Sequence, residues 1–390
     1  MKILIHTAAS PYGDSPIGGA ESSLRIIGEK LVARGHTVFF VSKAKLPAWK
    51  AVRMQKINGV HVVNFHKYPN PMDIHVLKKW SKKRHVAFID GLFKNDGIDI
   101  VHTYYNLNLC KPYLLKAKDP KYNFKLVIRI AGMRWYEQIA KNDLFKRAYE
   151  ELFKEADSLN FISEGLLTLF KKGLKELNMK FQPKHYFVKD IGTQQLTLSA
   201  PLASNKKTRE FKCIMVSRFS NYQKHQDILV KAVSLIDNEI PIHLTFIGDG
   251  PAKGKIESLA RASGVIDKIT FLPFLPQQEV WKTILEHDLL CHACEYEGLS
   301  KIIIESMGLG MAVLASDVIP LNNYITDGVN GFLTTNSPYA WSEKIKYLSK
   351  CRDDLHKVGN NATHYIKMNY NADLNIKEYE KQFEALLDNR

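Results

Sequence analysis

The sequence predicts an α/β chain built of two doubly wound parallel sheets in tandem. Three observations carry this. At 390 residues the chain exceeds what one ordinary core organises, so two domains are expected. Short apolar runs alternate with stretches of helical periodicity, the pattern of repeated βαβ units. That alternation is interrupted over Pro201–Arg209, which is polar and weakly patterned, and then restarts.

In the first half, Lys2–Thr7 reads as a strand. Glu21–Arg34 follows as a helix, with Leu24, Ile27 and Leu31 on one face and Gly35 closing it. Thr37–Ser42, Asp99–His102 and Lys125–Ile130 are further strands. Leu144–Ala156 is helical, and Ser158–Ser163 returns to strand. In the second half, strands are expected at Phe211–Ser217, His243–Gly248, Ile269–Leu272, Leu289–His292 and Ala312–Ser316. Helices are expected at Asp227–Leu235, Lys255–Ala262, Val280–His287 and Ile302–Leu309. Leu374–Leu387 is amphipathic and long enough to return to the first domain. The expected domains are thus 1–200 and 201–365, with 366–390 as the returning segment. The chain shows no internal repeat and no low-complexity tract.

Composition narrows the class. The hydrophobic fraction of 45% is that of a globular protein, and no apolar run is long enough to span a bilayer. The apolar stretch in Met1–His6 is too short for a signal peptide and reads as a first strand. Five cysteines, odd in number and irregular in spacing, point to reduced thiols in a cytosolic protein. Cys291-His292-Ala293-Cys294 looks like half of a zinc site. No second pair at finger-like spacing follows, so a buried strand end explains it better.

The net charge of +15 is unevenly placed. Residues 1–195 hold 33 Lys and Arg against 17 Asp and Glu, whereas residues 196–390 hold 22 against 23. An anionic partner for the first half follows: a membrane surface, nucleic acid or an acidic substrate. The densest basic run, Lys78-Lys79-Trp80-Ser81-Lys82-Lys83-Arg84, lies with Ile74, Leu77 and Phe88 in a potential amphipathic helix suited to anionic lipid. An ordinary domain helix with solvated charges fits equally well. No nucleic-acid motif accompanies the basic residues.

Four clusters fall where a strand ends and a helix begins, the place where open α/β sheets bind ligands. Ile17-Gly18-Gly19-Ala20-Glu21 lets backbone N–H groups approach a phosphate or sugar. Arg218 and Lys224 bracket a loop and suit a diphosphate. Gly248-Asp249-Gly250-Pro251 lacks the spacing of a dinucleotide fingerprint and reads as a tight turn. The segment from Glu297 to Glu305 sets two carboxylates eight positions apart around a helix start. A ligand bearing both phosphate and hydroxyls suits it, since the helix start attracts the anion and the carboxylates accept from hydroxyls.

In this order and at these spacings, the second half resembles the retaining glycosyltransferases of family 4, which have the GT-B architecture. The matching stretches are Val216-Ser217-Arg218 with Lys224, Phe246–Pro251, Glu295-Tyr296-Glu297-Gly298, Glu305-Ser306-Met307-Gly308 and Asp327–Phe332. The first half matches through Gly18–Glu21, Arg34–Val38, Asp99–His102, and Ala156-Asp157 with Ser163. The resemblance implies two Rossmann-like domains facing across a cleft. It implies an enzyme moving a hexose-type sugar from a nucleoside-diphosphate sugar, with retention and without a metal or other cofactor.

The resemblance also implies roles. Arg218 and Lys224 would neutralise the leaving pyrophosphate, the work a metal does in other transferases, and no Asp-x-Asp motif occurs here. Glu297 would hold the transferred sugar and Glu305 the ribose. Backbone at Leu299, Ser300 and Lys301 would meet the distal phosphate, with Gly18 and Gly19 closing on it from the other domain. Phe274 and Leu275 would border the base. The chain departs from the family pattern at Ala131-Gly132, where a His is usual, at Asp190-Ile191-Gly192-Thr193, and at Ala293-Cys294. Arg129 and Arg134, which flank the first departure, and His102 are the acceptor-side candidates. A lipid-linked, polysaccharide or lipopolysaccharide acceptor is expected, with peripheral attachment to the cytoplasmic face of a membrane. Alternatives are a soluble transferase making a small glycoside, a nucleotide-sugar epimerase and a non-enzymatic sugar-binding protein.

Overall fold

A computed structural model describes residues 1–13, 18–44, 46, 52–66, 85–193, 210–220 and 223–388. Ile17, the basic run Lys78–Arg84 with Ile74 and Leu77, and the linker Pro201–Arg209 lie outside the described residues. The chain forms two units, Met1–Gln194 with Ala372–Arg390, and Gln195–Asn371. The helix Arg352–Asn369 therefore stays with the second unit, and the segment returning to the first begins at Ala372 rather than at 366.

The first unit carries an eight-stranded sheet: β1 (Lys2–His6), β2 (Thr37–Ala44), β3 (Val52–Ile57), β4 (Val60–His66), β5 (Ile100–Tyr104), β6 (Lys125–Ile130), β7 (Ser158–Phe161) and β8 (Tyr186–Val188). The order is β3-β4-β2-β1-β5-β6-β7-β8. The pair β3–β4 is antiparallel and the other pairs are parallel. This hairpin corrects the expectation of a purely parallel sheet. It turns at Asn58-Gly59, both with positive φ, which is the pair a two-residue hairpin favours. On one face the helix Gly19–Ala33 packs Leu24, Ile27 and Leu31 against Ile3 and Ile5. The last helix, Ala372–Asp388, adds Ile376, Tyr379 and Phe383 to the same core.

That last helix also closes a buried polar knot. The Arg129 guanidinium, 1% exposed, donates to Asp190 Oδ2 at 2.5 Å, to Asn160 Oδ1 at 2.7 Å and to the Tyr379 hydroxyl at 2.5 Å. Tyr379 in turn donates to the carbonyl of Lys189 at 2.6 Å. His102 is fully buried beside it, against the rings of Tyr379 and Phe383. Burial, with the nearby Arg129 charge, lowers its pKa to about 3, so it stays neutral. The acceptor-side assignment of Arg129 and His102 is thereby corrected. Neither side chain reaches solvent, because both lie on the sheet face that the last helix covers.

The second unit has strands β9 (Phe211–Val216), β10 (Ile242–Ile247), β11 (Ile269–Leu272), β12 (Leu289–His292), β13 (Val313–Ser316) and β14 (Phe332–Thr334). They are all parallel, in the order β11-β10-β9-β12-β13-β14. Apolar clusters cover both faces, so the strands read as continuous hydrophobic runs: β9 sends Cys213 and Met215 into one cluster and Ile214 into the other. The chain departs from β9 toward β10 on one side and from β12 toward β13 on the other. Between these two strands the direction of winding reverses, and at such a point open α/β sheets bind ligands at the carboxyl ends of their strands.

Asp190→Ala leaves the Arg129 charge buried and unpaired. It should lower the unfolding free energy in urea by about 3–5 kcal/mol, the cost typical of breaking one side of a buried pair.

Candidate active site

The loops that leave β9 and β12 are zipped together by backbone. The N–H of His225 donates to the carbonyl of Ala293 at 3.0 Å, and that of Glu295 to the carbonyl of Gln223 at 3.0 Å. Lys224 and Cys294 form the bridge between them. This register places the Lys224 ammonium in an ion pair with Glu297 Oε2 and 3.0 Å from His292 Nε2. The imidazole nitrogen lies 3.3 Å from the same carboxylate oxygen and 3.3 Å from Ser300 Oγ. Burial and the Lys224 charge lower the His292 pKa to about 4, so the ring is neutral at neutral pH. Burial raises the pKa of Glu297, but the Lys224 ammonium and the His292 hydrogen bond outweigh it and hold the carboxyl well below its ordinary range. The result is an ionised, half-shielded carboxylate locked to an ammonium.

Ser300 is the N-cap of the helix Lys301–Gly308, yet its hydroxyl faces His292 and does not cap the helix. The residue type that normally satisfies an exposed helix start is thus diverted into the Lys224–Glu297 cluster. Farther along the helix, Glu305 is 5% exposed. Its two oxygens accept separate donors, Gln277 Nε2 at 2.7 Å and the Trp281 indole Nε1 at 3.0 Å.

Arg218 stands exposed on the turn after β9. The buried Gln226 holds that turn, donating to Ser217 Oγ at 3.0 Å and to the carbonyl of Arg218 at 3.1 Å. The Gly248-Asp249-Gly250 stretch is its seat. A Cβ at Gly248 would strike the carbonyl oxygen of Ser217, and one at Gly250 that of Phe219. The two glycines therefore permit the close backbone approach that sets Arg218. Asp249 Oδ2 accepts from the N–H of Phe274 at 2.9 Å, fixing a loop on which Phe274 is 52% exposed and Leu275 half-buried.

Of the expected donor-site residues, the structure brings Lys224 and Glu297 into contact and joins Ser300 to them through His292. Arg218 leaves the same strand end, and Leu299 and Lys301 flank Ser300. Glu305 lies in the same helix, engaged by residues of the helix Gln277–Leu285. Gly18 and Gly19 are exposed at the start of the helix Gly19–Ala33 in the first unit, where Arg134 is also exposed, at the head of the helix Arg134–Lys141. Among the described residues, His292, Cys294 and Glu297 form a group whose ligand-type atoms lie within 4.8 Å of one another. These are suitable zinc ligands by type. Here Lys224 already occupies the contact with two of them, and burial pushes the Cys294 thiol up to about 12.

Four side chains escaped sequence reasoning: Gln226, Gln277, Trp281 and His292 as a partner of Lys224. Gln226 left a signal, an amide at the first position of an otherwise apolar helix. His292 was visible within the Cys-His-Ala-Cys run, whose buried strand-end character the structure bears out.

Residues 201–365 match the family described as glycosyl transferases group 1. Over its whole length the chain is 22% identical to N-acetyl-alpha-D-glucosaminyl L-malate synthase of Bacillus anthracis, covering 100% of this chain and 99% of that protein. Its fold matches sucrose-phosphate synthase of Thermosynechococcus elongatus with a TM-score of 0.82 at 17% identity, over 100% of both chains. It matches Anabaena Alr3699/HepE in complex with UDP and glucose with a TM-score of 0.76 at 17% identity, over 99% of this chain and 100% of that one.

His292 and Glu297 make the second unit acid-sensitive. A histidine whose folded pKa lies near 4, below its ordinary 6.5, contributes stability that is complete above 6.5 and is lost as the pH falls toward 4. Glu297 adds a loss below its ordinary 4.5. The unfolding free energy should decline between pH 7 and pH 4, and His292→Gln should remove on the order of 2–3 kcal/mol of that decline.

Proposed function

We propose that this chain, whose residues 201–365 match glycosyl transferases group 1, is a retaining, metal-independent glycosyltransferase of family 4. It moves a sugar from a nucleoside-diphosphate sugar to a lipid-linked or polysaccharide acceptor. The observation that carries this is the Lys224–Glu297 ion pair, with Arg218, where winding reverses between β9 and β12. The UDP bound by the Anabaena protein of like fold favours uracil as the base.

The roles follow from charge. As the glycosidic bond breaks, negative charge grows on the diphosphate. Arg218 is exposed, and Lys224 follows it in the same segment leaving β9, so both can meet that charge. Glu297 is held ionised by Lys224 and accepts from a sugar hydroxyl. Its ammonium contact makes it a poor nucleophile. The acceptor oxygen therefore attacks from the face the leaving group departs, and the departing phosphate oxygen takes the acceptor proton. Glu305 accepts from the ribose, Phe274 and Leu275 border the base, and Leu299, Ser300 and Lys301 present the helix start to the distal phosphate. Gly18 and Gly19 offer a second exposed helix start, in the first unit.

The excess positive charge of residues 1–195 favours an anionic acceptor or an anionic surface that carries one. Among the described residues no helix is long and apolar enough to cross a membrane, so attachment would be peripheral. A second reading, a soluble transferase making a small glycoside, has its own support: the full-length relative is named for a malate glycoside, and malate is a small anion.

Turnover of a panel of nucleotide-sugars should persist in chelator, and its complete loss would remove the metal-free mechanism. Arg218→Ala should lower kcat on the order of 100-fold while leaving stability in urea unchanged, since the side chain is exposed. Co-sedimentation with anionic liposomes that falls with salt supports the lipid-linked acceptor, and its absence favours the small one.

A further inference from the structure

We infer that Gln277 is a displaceable latch on Glu305, occupying in the free protein the position that a ribose hydroxyl takes when a nucleotide binds. This rests on the proposed role of Glu305 as the ribose acceptor. Glu305 is 5% exposed, and each of its oxygens already accepts a donor, Gln277 Nε2 at 2.7 Å and Trp281 Nε1 at 3.0 Å. A ribose presents two vicinal hydroxyls, and both seek an acceptor. At least one resident donor must therefore yield or share.

The two donors are unequal. Trp281 is half-buried, and its indole has a single N–H, which it gives to Glu305. Gln277 is exposed at the first position of the helix Gln277–Leu285, its side chain is long, and its amide can exchange the carboxylate for water by giving up about one net hydrogen bond. Gln277 sits two residues beyond Leu275, so the side chain that yields belongs to the strip already facing the base. Trp281, one turn deeper, holds the carboxylate in place throughout. In the absence of nucleotide the latch keeps a buried carboxylate satisfied, and it makes the site select for a ligand with a ribose diol.

The latch predicts an effect opposite in sign to that of an ordinary contact residue. Calorimetric titration of the full chain with UDP, with GDP and ADP as parallel arms, tests it. Gln277→Ala should tighten binding of the ribonucleotide about three- to tenfold, the change that one net hydrogen bond corresponds to. It should leave binding of the matching 2′,3′-dideoxy nucleotide unchanged, because that ligand has nothing to put in place of the amide. Glu305→Gln should weaken the ribonucleotide and abolish the difference between the two ligands. Weaker or unaltered ribonucleotide binding by Gln277→Ala, with Glu305→Gln still weakening it, overturns the latch and leaves the ribose site standing. Unaltered binding by Glu305→Gln overturns both. Gln277 is exposed, so the variant's thermal midpoint serves as the folding control.

Discussion

The ion pair between Lys224 and Glu297 is the contact around which the second unit is arranged. Neither charge is solvated well enough to stand alone, so each requires the other within reach. That requirement is met by topology: the strand order places the carboxyl ends of β9 and β12 side by side, and the backbone bridge at Lys224 and Cys294 fixes their register. It is met by chemistry too. His292 is kept neutral by its burial and by the Lys224 charge, so it can touch the pair without adding a second cation. The lysine's position is thus dictated by the carboxylate it pairs with.

Local preferences are given up to keep this arrangement. The Ser300 hydroxyl forgoes the cap of the helix Lys301–Gly308 and turns to His292. Gly248 and Gly250 sacrifice backbone entropy so that β10 can lie against the turn that carries Arg218. Both are cases in which the locally favourable choice would close the site: a capped helix start has fewer donors for an anion, and a side chain at either glycine would push Arg218 out of register. The conflict between local and global preference is concentrated at the strand ends, as expected where function rather than stability selects the residue.

Most strands and the second-unit helices were legible because burial on both faces produces continuous apolar runs and the helices keep a single apolar stripe. The β3–β4 hairpin was overlooked although its Asn58-Gly59 turn is a strong local signal, because Val52–Ile57 is an edge strand with little apolar patterning. Motif spacing found Lys224 and Glu297, since the residues that meet a ligand in a parallel sheet are all near strand ends. It failed for Arg129 and His102 because nearness to a strand end says nothing about which face is covered. Their covering element, the helix Ala372–Asp388, lies some 240 residues away in sequence. Gln277 and Trp281 were invisible for a related reason: nothing in their spacing reveals that they converge on Glu305.

The departures from the family pattern in the first unit acquire a common physical setting. Asp190, in the altered loop after β8, spends one carboxylate oxygen on Arg129 and the other on the N–H of Gly192 at 2.7 Å. Its carbonyl accepts from Asn375 of the last helix at 3.0 Å, and the N–H of Ala372 donates to the carbonyl of Thr193 at 3.0 Å. The loop is thereby stitched to the returning helix at two points, and Arg129, two residues before Ala131, is stitched to it through Tyr379. The altered loop at Asp190 and the strand that leads into Ala131-Gly132 are thus tied to one buried knot, which attaches the terminal helix. Arg134 stands apart from the knot, exposed at the head of the helix Arg134–Lys141.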